Sequence, residues 1–179
     1  MPMSVTALLG KNLFLLDGGV INDLLMKVHL ISSPIDWLVN GGTALGAVIA
    51  VNCWVGIPFN MLLLTSGLTG ISTDIYESAS MDGANAFKRF IYITLPLMKP
   101  AMLSVLMLGF IYTFKAFDLM YIMTAGGPFN STDVLGTYAY SKAFTQYEFS
   151  QGSAIAMVLF ACLFLVGIFY LKLLSKEDD

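Results

Sequence analysis

Residues 71–100 read ISTDIYESASMDGANAFKRFIYITLPLMKP, a polar segment that stands between two long apolar runs. Asp74 is followed three residues later by Glu77, a spacing that is typical of a capped helix start. Gly83 can adopt the positive φ that ends a helix. The first part of the segment therefore predicts a short helix that begins at Asp74 and ends before Gly83.

The second part of the segment predicts another helix, over residues 85–92. Pro96 is expected to end it, because the residue before a proline avoids helical geometry, and Pro100 can begin a new helix. Small residues cluster near the glycine and would let another protein approach the backbone closely. Between two apolar runs, this layout indicates that residues 72–97 form an exposed projection, which we call the knob, suited to contact with a partner. The simpler interpretation is a loop that only connects its neighbours.

The apolar runs are long enough to cross a membrane. A spanning helix needs about 20 mostly apolar residues, because the hydrocarbon core is about 30 Å thick. We predict three spans, over residues 43–66, 100–123 and 153–172, and a partial one over residues 1–16. The 179-residue chain is 57% hydrophobic and 12% charged, with a mean hydropathy of +0.77. The predicted fold class is an all-α, polytopic transmembrane bundle.

Positive charges favour one orientation of these spans. Segment 72–100 and the C-terminal tail carry five lysines and arginines, against three in the other connecting regions: Lys88, Arg89, Lys99, Lys172 and Lys176 against Lys11, Lys27 and Lys142. Three spans put the first two regions on one side, and the positive-inside rule makes that side cytoplasmic. The knob and the tail are therefore predicted to face the cytoplasm.

The polar segment resembles the EAA signature of importer-type ABC permeases, E-A-A-x3-G-x9-I-x-L-P. The matching positions are Glu77, Ala79, Gly83, Ile93, Leu95 and Pro96, with Ser78 in place of the first alanine. Asp82 and Ala84 flank the glycine as in carbohydrate importers. Residues 54–59 (WVGIPF) and 117–128 (FDLMYIMTAGGP) resemble further blocks of the maltose-type subunits. The resemblance covers nearly the whole chain and implies a partial permease domain of the MetI-like fold.

This resemblance implies a subunit of a sugar importer in the bacterial cell membrane. Its expected partners are membrane lipid, a second permease subunit, a dimer of ATP-binding-cassette ATPases and an extracytoplasmic sugar-binding protein. In the family the EAA helix docks in a cleft of the ATPase, where its glutamate pairs with a basic residue. Glu77 would inherit that role, beside the docking residues Ser78, Ala79, Asp82, Gly83, Ala84, Ile93, Leu95 and Pro96.

The start of the chain predicts an incomplete domain. Residues 1–16 lack both a positive region before the apolar run and a cleavage site after it, so they do not match a signal peptide. They look like the end of a spanning helix whose first half is absent. We therefore expect residues 1–179 to be one permease domain, incomplete at its N-terminus and not competent for transport, either by itself or with its natural partners.

Two groups of residues are candidates for the substrate path. Asn52, Gly56 and Phe59 recur at i, i+4 and i+7, so they share one helical face. Gly56 and Pro58 also weaken the backbone bonding there. In maltose-type permeases the corresponding face lines the sugar site. The alternative is a kinked helix that only packs on its neighbours.

Lys115 and Asp118 form the second group, inside the predicted span 100–123. A lone charge near the membrane centre costs about 3 kcal/mol, so each should face the protein interior or water. At i, i+3 the two can pair, which would lower that cost. They would then be either an ion pair near the outer end of the span or a polar wall of the translocation path. In the second case Lys115 would reach hydroxyls or an anionic group.

Several function classes lack support in the sequence. No His, Cys, Asp and Glu cluster has metal-ligand spacing, and no nucleophile stands with a base, so no metal, cofactor or enzymatic activity is predicted. Gly10-Lys11 lacks the other residues of a P-loop, which assigns ATP hydrolysis to a separate polypeptide. The net charge of −3 and the lack of a basic patch predict no nucleic-acid partner.

Two alternatives to an importer subunit stay open. One is a structural or assembly membrane protein without transport activity, including the product of a truncated gene. The other is a secondary transporter, although the sequence shows no inverted repeat or paired broken spans. Copurification separates these, because only an importer subunit should recover an ATPase and a sister permease.

Overall fold

The structure is a computed structural model, and it describes residues 2–175, with side chains up to residue 172. Within this range the chain forms helices and connecting turns and no strand, which confirms the predicted all-α class. The helices are α1 (Met3–Leu13), α2 (Val20–Lys27), α3 (Gly41–Thr69), α4 (Thr73–Met81), α5 (Ala86–Arg89), α6 (Leu95–Leu97), α7 (Lys99–Phe114), α8 (Phe117–Thr124), α9 (Leu135–Tyr140) and α10 (Phe149–Ser175). Two π-helical turns, Phe90–Thr94 and Ser141–Thr145, continue α5 and α9.

The long helices follow the predicted apolar runs. Gly41–Thr69 and Phe149–Lys172 are each long and apolar enough to cross a membrane. A third crossing is available if the helical segments Ala86–Leu97 and Lys99–Phe114, which meet at a bend of 63°, count as one broken span. α1 occupies 11 residues of the predicted partial span.

The span predicted over residues 100–123 is not one continuous helix. α7 ends at Phe114, and Ala116 leaves helical geometry with ψ of 70° before α8 begins. This break between α7 and α8 coincides with the two charged residues of the predicted span. Lys115 is exposed in the gap, and Asp118 lies in the first turn of α8, where free backbone N–H groups stabilise a carboxylate. The two charged residues therefore mark a helix boundary.

The second helix of the polar segment does not end before Pro96. Leu95, the residue before this proline, is helical with φ of −63° and ψ of −45°, and the helical path continues to Leu97. The preceding turn, Phe90–Thr94, is π-helical, so the Leu95 N–H donates to the carbonyl of Phe90, five residues back. This wider turn leaves room for the proline ring, which in a regular α-helix would meet the carbonyl four residues earlier.

The chain divides into two compact units. The first contains the described residues up to Val55 together with Tyr112–Phe164, and the second contains Gly56–Ile111 and the described residues from Leu165 onward. The core of the first unit joins α1, α3 and α8 through Ala7, Ala47, Val48, Val51, Leu119, Met120 and Met123. Gly10 allows the close approach of α1 to α3, since a Cβ there would lie 2.6 Å from Val51 Cγ2.

Asn22 ties together the chain around α2. Its side chain is 1% exposed. Its amide nitrogen donates to the carbonyls of Leu15, Leu16 and Ile35, and its amide oxygen accepts from the N–H of Ile35 and from Trp37 Nε1. One buried side chain thus satisfies five backbone and ring groups of two connecting segments, which fixes their conformation.

The second unit contains the polar segment and the helices around it. α3 and α7 approach closely, since a Cβ at Gly67 would lie 2.6 Å from Ala101 Cβ. The hydroxyls of Ser104 and Tyr170 are 3.0 Å apart and join α7 to α10. Small residues and interhelical hydrogen bonds are the usual means by which membrane helices associate.

Candidate functional site

The knob begins at α4, whose start differs from the prediction. Ser72, rather than Asp74, is the N-cap, and its hydroxyl accepts a hydrogen bond of 3.3 Å from the Asp74 N–H. Asp74 lies inside the first turn, where its charge still favours the helix. Glu77 is exposed in the middle of α4 and makes no ion pair within the described residues. Its carboxylate is therefore available to a partner.

The glycine break closes α4 with a Schellman motif. Gly83 has a φ of 77°, which confirms the predicted positive φ. Its N–H donates to the carbonyl of Ser80, and the N–H of Ala84 donates to the carbonyl of Ala79. The chain reverses at Asp82 and Gly83 without leaving these carbonyls unpaired. Two positions of the signature, Ala79 and Gly83, and the flanking Ala84 thus have a local structural role.

Side chains bind the two arms of the knob to each other. The Tyr76 hydroxyl lies 2.9 Å from Thr94 Oγ1, and Arg89 Nη1 donates to Ser80 Oγ at 2.7 Å. Ser80 Oγ in turn donates to the Tyr76 carbonyl. Among residues 72–98, Thr94 alone is buried. These four residues, which we call the brace, hold α4 against the π-helical turn.

The outer surface of the knob combines charge with apolar side chains. Met81 is 90% exposed and Phe87 is 71% exposed. Of the predicted docking residues, Glu77, Ser78, Asp82, Gly83, Leu95 and Pro96 are exposed, whereas Ala79, Ala84 and Ile93 are half-buried. Exposed methionine and aromatic side chains around a charge are typical of protein interfaces. The surface can therefore bind a protein that offers an apolar cleft and a basic group.

The first group of path residues lies on α3. Asn52 and Gly56 are half-buried and Phe59 is exposed, and all belong to a helix that runs unbroken through Pro58. The predicted weakening at Gly56 and Pro58 therefore does not interrupt this helix. The role of the three residues in a substrate path stays a prediction.

The predicted pairing of Lys115 with Asp118 is not formed. Both side chains are exposed, and the part of the chain that the structure describes contains no ion pair between them. The i, i+3 geometry needs one continuous helix, and the chain breaks at Ala116. Lys115 instead lines a cavity of about 530 Å³, to which Asp118 does not contribute.

The cavity beside Lys115 has an aromatic wall. Phe117, Tyr140 and Phe144 form a continuous series of rings, with centroids 5.2 Å and 5.1 Å apart. Phe149 extends it, at 6.2 Å from Phe144. The cavity meets α10 at Gly152, where an added Cβ would lie 2.7 Å from the Cβ of Ala143.

The family of the chain follows from its sequence over nearly its full length. Residues 1–176 match the family described as the binding-protein-dependent transport system inner membrane component. The chain belongs to this family. Membership confirms the predicted class of permease and its place in the inner membrane, in agreement with the apolar helices α3 and α10.

Individual relatives of this transport-system family agree. The chain is 33% identical over 178 residues to the sulfoquinovosyl glycerol transport system permease of Agrobacterium fabrum, covering 99% of this chain and 57% of the relative. It is 38% identical over 140 residues to the trehalose/maltose permease MalF of Thermococcus litoralis, covering 78% of this chain and 47% of the relative. The chain thus spans about half the length of these curated relatives.

A solved transporter shares the fold. A chain of a bacterial ABC transporter involved in the import of the acidic polysaccharide alginate superposes with a TM-score of 0.86 and 19% identity. The superposition covers 100% of this chain and 62% of that one. It confirms the permease fold, here present in part.

The sequence does not reveal the brace. Arg89 contributes only a positive charge to the sequence pattern, and Tyr76, Ser80 and Thr94 carry no signal of their own. Thr94 occupies the variable position of the I-x-L-P block, and a polar residue between apolar neighbours could have pointed to a buried hydrogen bond. The contacts of the brace join residues nine and 18 positions apart, and a helical pattern does not indicate such pairs.

We expect the knob to face the cytoplasm. The test is Met81→Cys, with Cys53 and Cys162 replaced by alanine. In intact spheroplasts this cysteine should resist a membrane-impermeant maleimide, because the reagent does not reach the cytoplasm. After permeabilisation it should react, because Met81 is 90% exposed. Phe129→Cys is the matched control, since Phe129 is 99% exposed in a loop predicted to lie on the other side. Labelling of position 81 before permeabilisation would show that the predicted orientation is wrong. Lys176, one of the charges behind this prediction, lies outside the described residues.

Proposed function

We propose that this chain is part of the membrane domain of an ATP-driven importer of a sugar or oligosaccharide. The knob docks onto an ATPase on a separate polypeptide, and a second permease subunit completes the translocation path. An extracytoplasmic sugar-binding protein delivers the solute. In this arrangement ATP-driven movement of the ATPases is transmitted through the knob to the spans.

One observation carries the docking role. Glu77 is exposed on a helix that is capped at Ser72, closed at Gly83 and held by the brace, next to the exposed side chain of Met81. The helix that carries the carboxylate is therefore ordered before a partner arrives, which lowers the entropy cost of docking. A loop that merely connected two spans would not need these bonds.

The proposed solute class rests on the relatives. Their names give sulfoquinovosyl glycerol in one case and trehalose or maltose in another, and the solved transporter of the same fold imports alginate. All of these are sugars or glycosides. We therefore assign this chain to carbohydrate import as a class, with the path residues Asn52, Gly56, Phe59, Lys115 and Asp118 as candidates for contact.

Photocrosslinking tests the proposal directly. A benzoylphenylalanine introduced at Met81 should crosslink to a protein with an ATP-binding cassette when the chain is expressed in its native cells. Trp54, 78% exposed on α3, provides the control position, because it is predicted to lie within the membrane and should not reach the ATPase. Mass spectrometry identifies the products, and mild-detergent copurification should also recover a sister permease.

Failure to crosslink an ATPase at position 81, with the chain present in the membrane, would contradict the docking role. Crosslinking there to some other protein, with no ATPase or sister permease recovered, would favour the non-transporting assembly protein instead.

A further inference from the structure

The cavity beside Lys115 contains one charge and little else that is polar. Among its described lining residues, Lys115 is the only charged one, and Tyr140 and Ser153 supply the hydroxyls. The remaining lining residues are aromatic, aliphatic or glycine, including Phe114, Phe117 and Phe144. At about 530 Å³ the cavity falls within the range of small-molecule sites, roughly 300–1,000 Å³.

Another lysine of the same compact unit, Lys142, has its charge balanced by neighbouring side chains. Lys142 Nζ lies 3.0 Å from Glu148 Oε2, donates to Gln146 Oε1 at 2.8 Å and lies over the ring of Tyr138. Lys115 has no such partner within the residues that the structure describes. Its exposed ammonium therefore lies without a counter-charge beside a wall of low polarity.

Lys115 also occupies a suitable position along the membrane. It follows the last residue of α7, whose first residue is Lys99. With 16 residues, α7 separates its two ends by about 24 Å. Lys115 thus follows the C-terminal end of α7, the end that the predicted orientation places on the side that receives solute.

We propose that this cavity binds a sugar that carries an acidic group. The ammonium of Lys115 pairs with a carboxylate or sulfonate, while the apolar face of the sugar ring lies on Phe117, Tyr140 and Phe144. A neutral sugar would meet the same rings but would form no ion pair with the lysine. The inference rests on the proposed function and narrows its solute class to anionic sugars.

Binding to matched sugars tests this inference. The purified chain in zwitterionic phosphatidylcholine nanodiscs is titrated with digalacturonate and with digalactose, its carboxyl-reduced counterpart, by saturation-transfer NMR. A second pair, a sulfonated hexose and glucose, distinguishes sulfonate from carboxylate as the preferred group. We expect about tenfold tighter binding of at least one anionic sugar than of its neutral partner, as a charge-assisted hydrogen bond would give.

Variants assign the preference to Lys115. Lys115→Met should reduce the preference for the anionic sugar to within about twofold, and Lys115→Arg should retain this preference. The control is Lys27→Met, which removes an exposed lysine of α2 outside the cavity and should leave the preference unchanged. Equal affinities within both pairs, no binding of any of the four sugars, or an undiminished preference in Lys115→Met would overturn the inference. Crosslinking of position 81 to an ATPase does not involve Lys115, so that result would persist if this inference alone were wrong.

Discussion

Glu77→Lys should abolish detectable ATPase association while leaving the chain in the membrane. Glu77 is exposed on α4 and makes no ion pair within the described chain, so its replacement should have little effect on folding. The proposed partner of this carboxylate is a basic group in the ATPase cleft. Reversing the charge replaces an attraction with a repulsion, and loss of one partner of a buried charge pair costs about 2–5 kcal/mol. We therefore expect ATPase association to weaken by about 30-fold or more.

The measurement is recovery of the ATPase with the tagged chain from mild detergent. Asp23→Lys is the matched control, because it makes the same change of charge at an exposed position of α2, outside the knob. Immunoblots of the membrane fraction confirm equal amounts of protein. Normal ATPase recovery with Glu77→Lys would reject the docking role of this residue.

Asn22→Leu is expected to lower the free energy of unfolding strongly. Leucine has the same branched arrangement of side-chain heavy atoms as asparagine, but it is larger and has no hydrogen-bonding groups. The change would leave the carbonyls of Leu15 and Leu16 and the indole N–H of Trp37 without their present partner. Each unsatisfied buried group costs about 1–3 kcal/mol, although water that enters would recover part of this. A total loss of at least about 3 kcal/mol follows.

Thermal unfolding in detergent, scanned at one rate, measures the loss. Asn12→Leu is the control, because Asn12 is exposed near the end of α1 and such changes usually stay within about 0.5 kcal/mol. Trp37 provides a local signal, since its ring packs edge-on against Phe14 at 5.8 Å. Its fluorescence should shift to the red in Asn22→Leu. An unfolding temperature equal to that of the control would show that the Asn22 bonds contribute little.

The sequence predicts those features of the fold that depend on local pattern. Long apolar runs predict α3 and α10, and Gly83 is expected to take a positive φ because α4 needs an end there. The signature residues place the candidate docking surface on this same short helix. In each case the signal lies within one element or its immediate neighbours.

The features that the sequence does not predict depend on contacts between distant residues or on unusual backbone. Pro96 is expected to end a helix, but a π-helical turn accommodates it. Lys115 and Asp118 are predicted to share one helix, and the break at Ala116 separates them. Asn22 gives no signal because its partner Trp37 lies 15 residues away. Such pairings form only when the chain has folded, so periodicity cannot reveal them.

The 63° bend between Ala86–Leu97 and Lys99–Phe114 would let a movement of the knob be transmitted to α7. The segment before the bend has 12 residues, which makes it a lever arm of about 18 Å at helical rise. A rotation of about 10° about Met98 would then move the far end of the arm by about 3 Å, comparable to the small helix shifts that accompany switching in other proteins. A displacement of about this size in a docked partner would thus twist α7, with the bend at Met98 as the pivot.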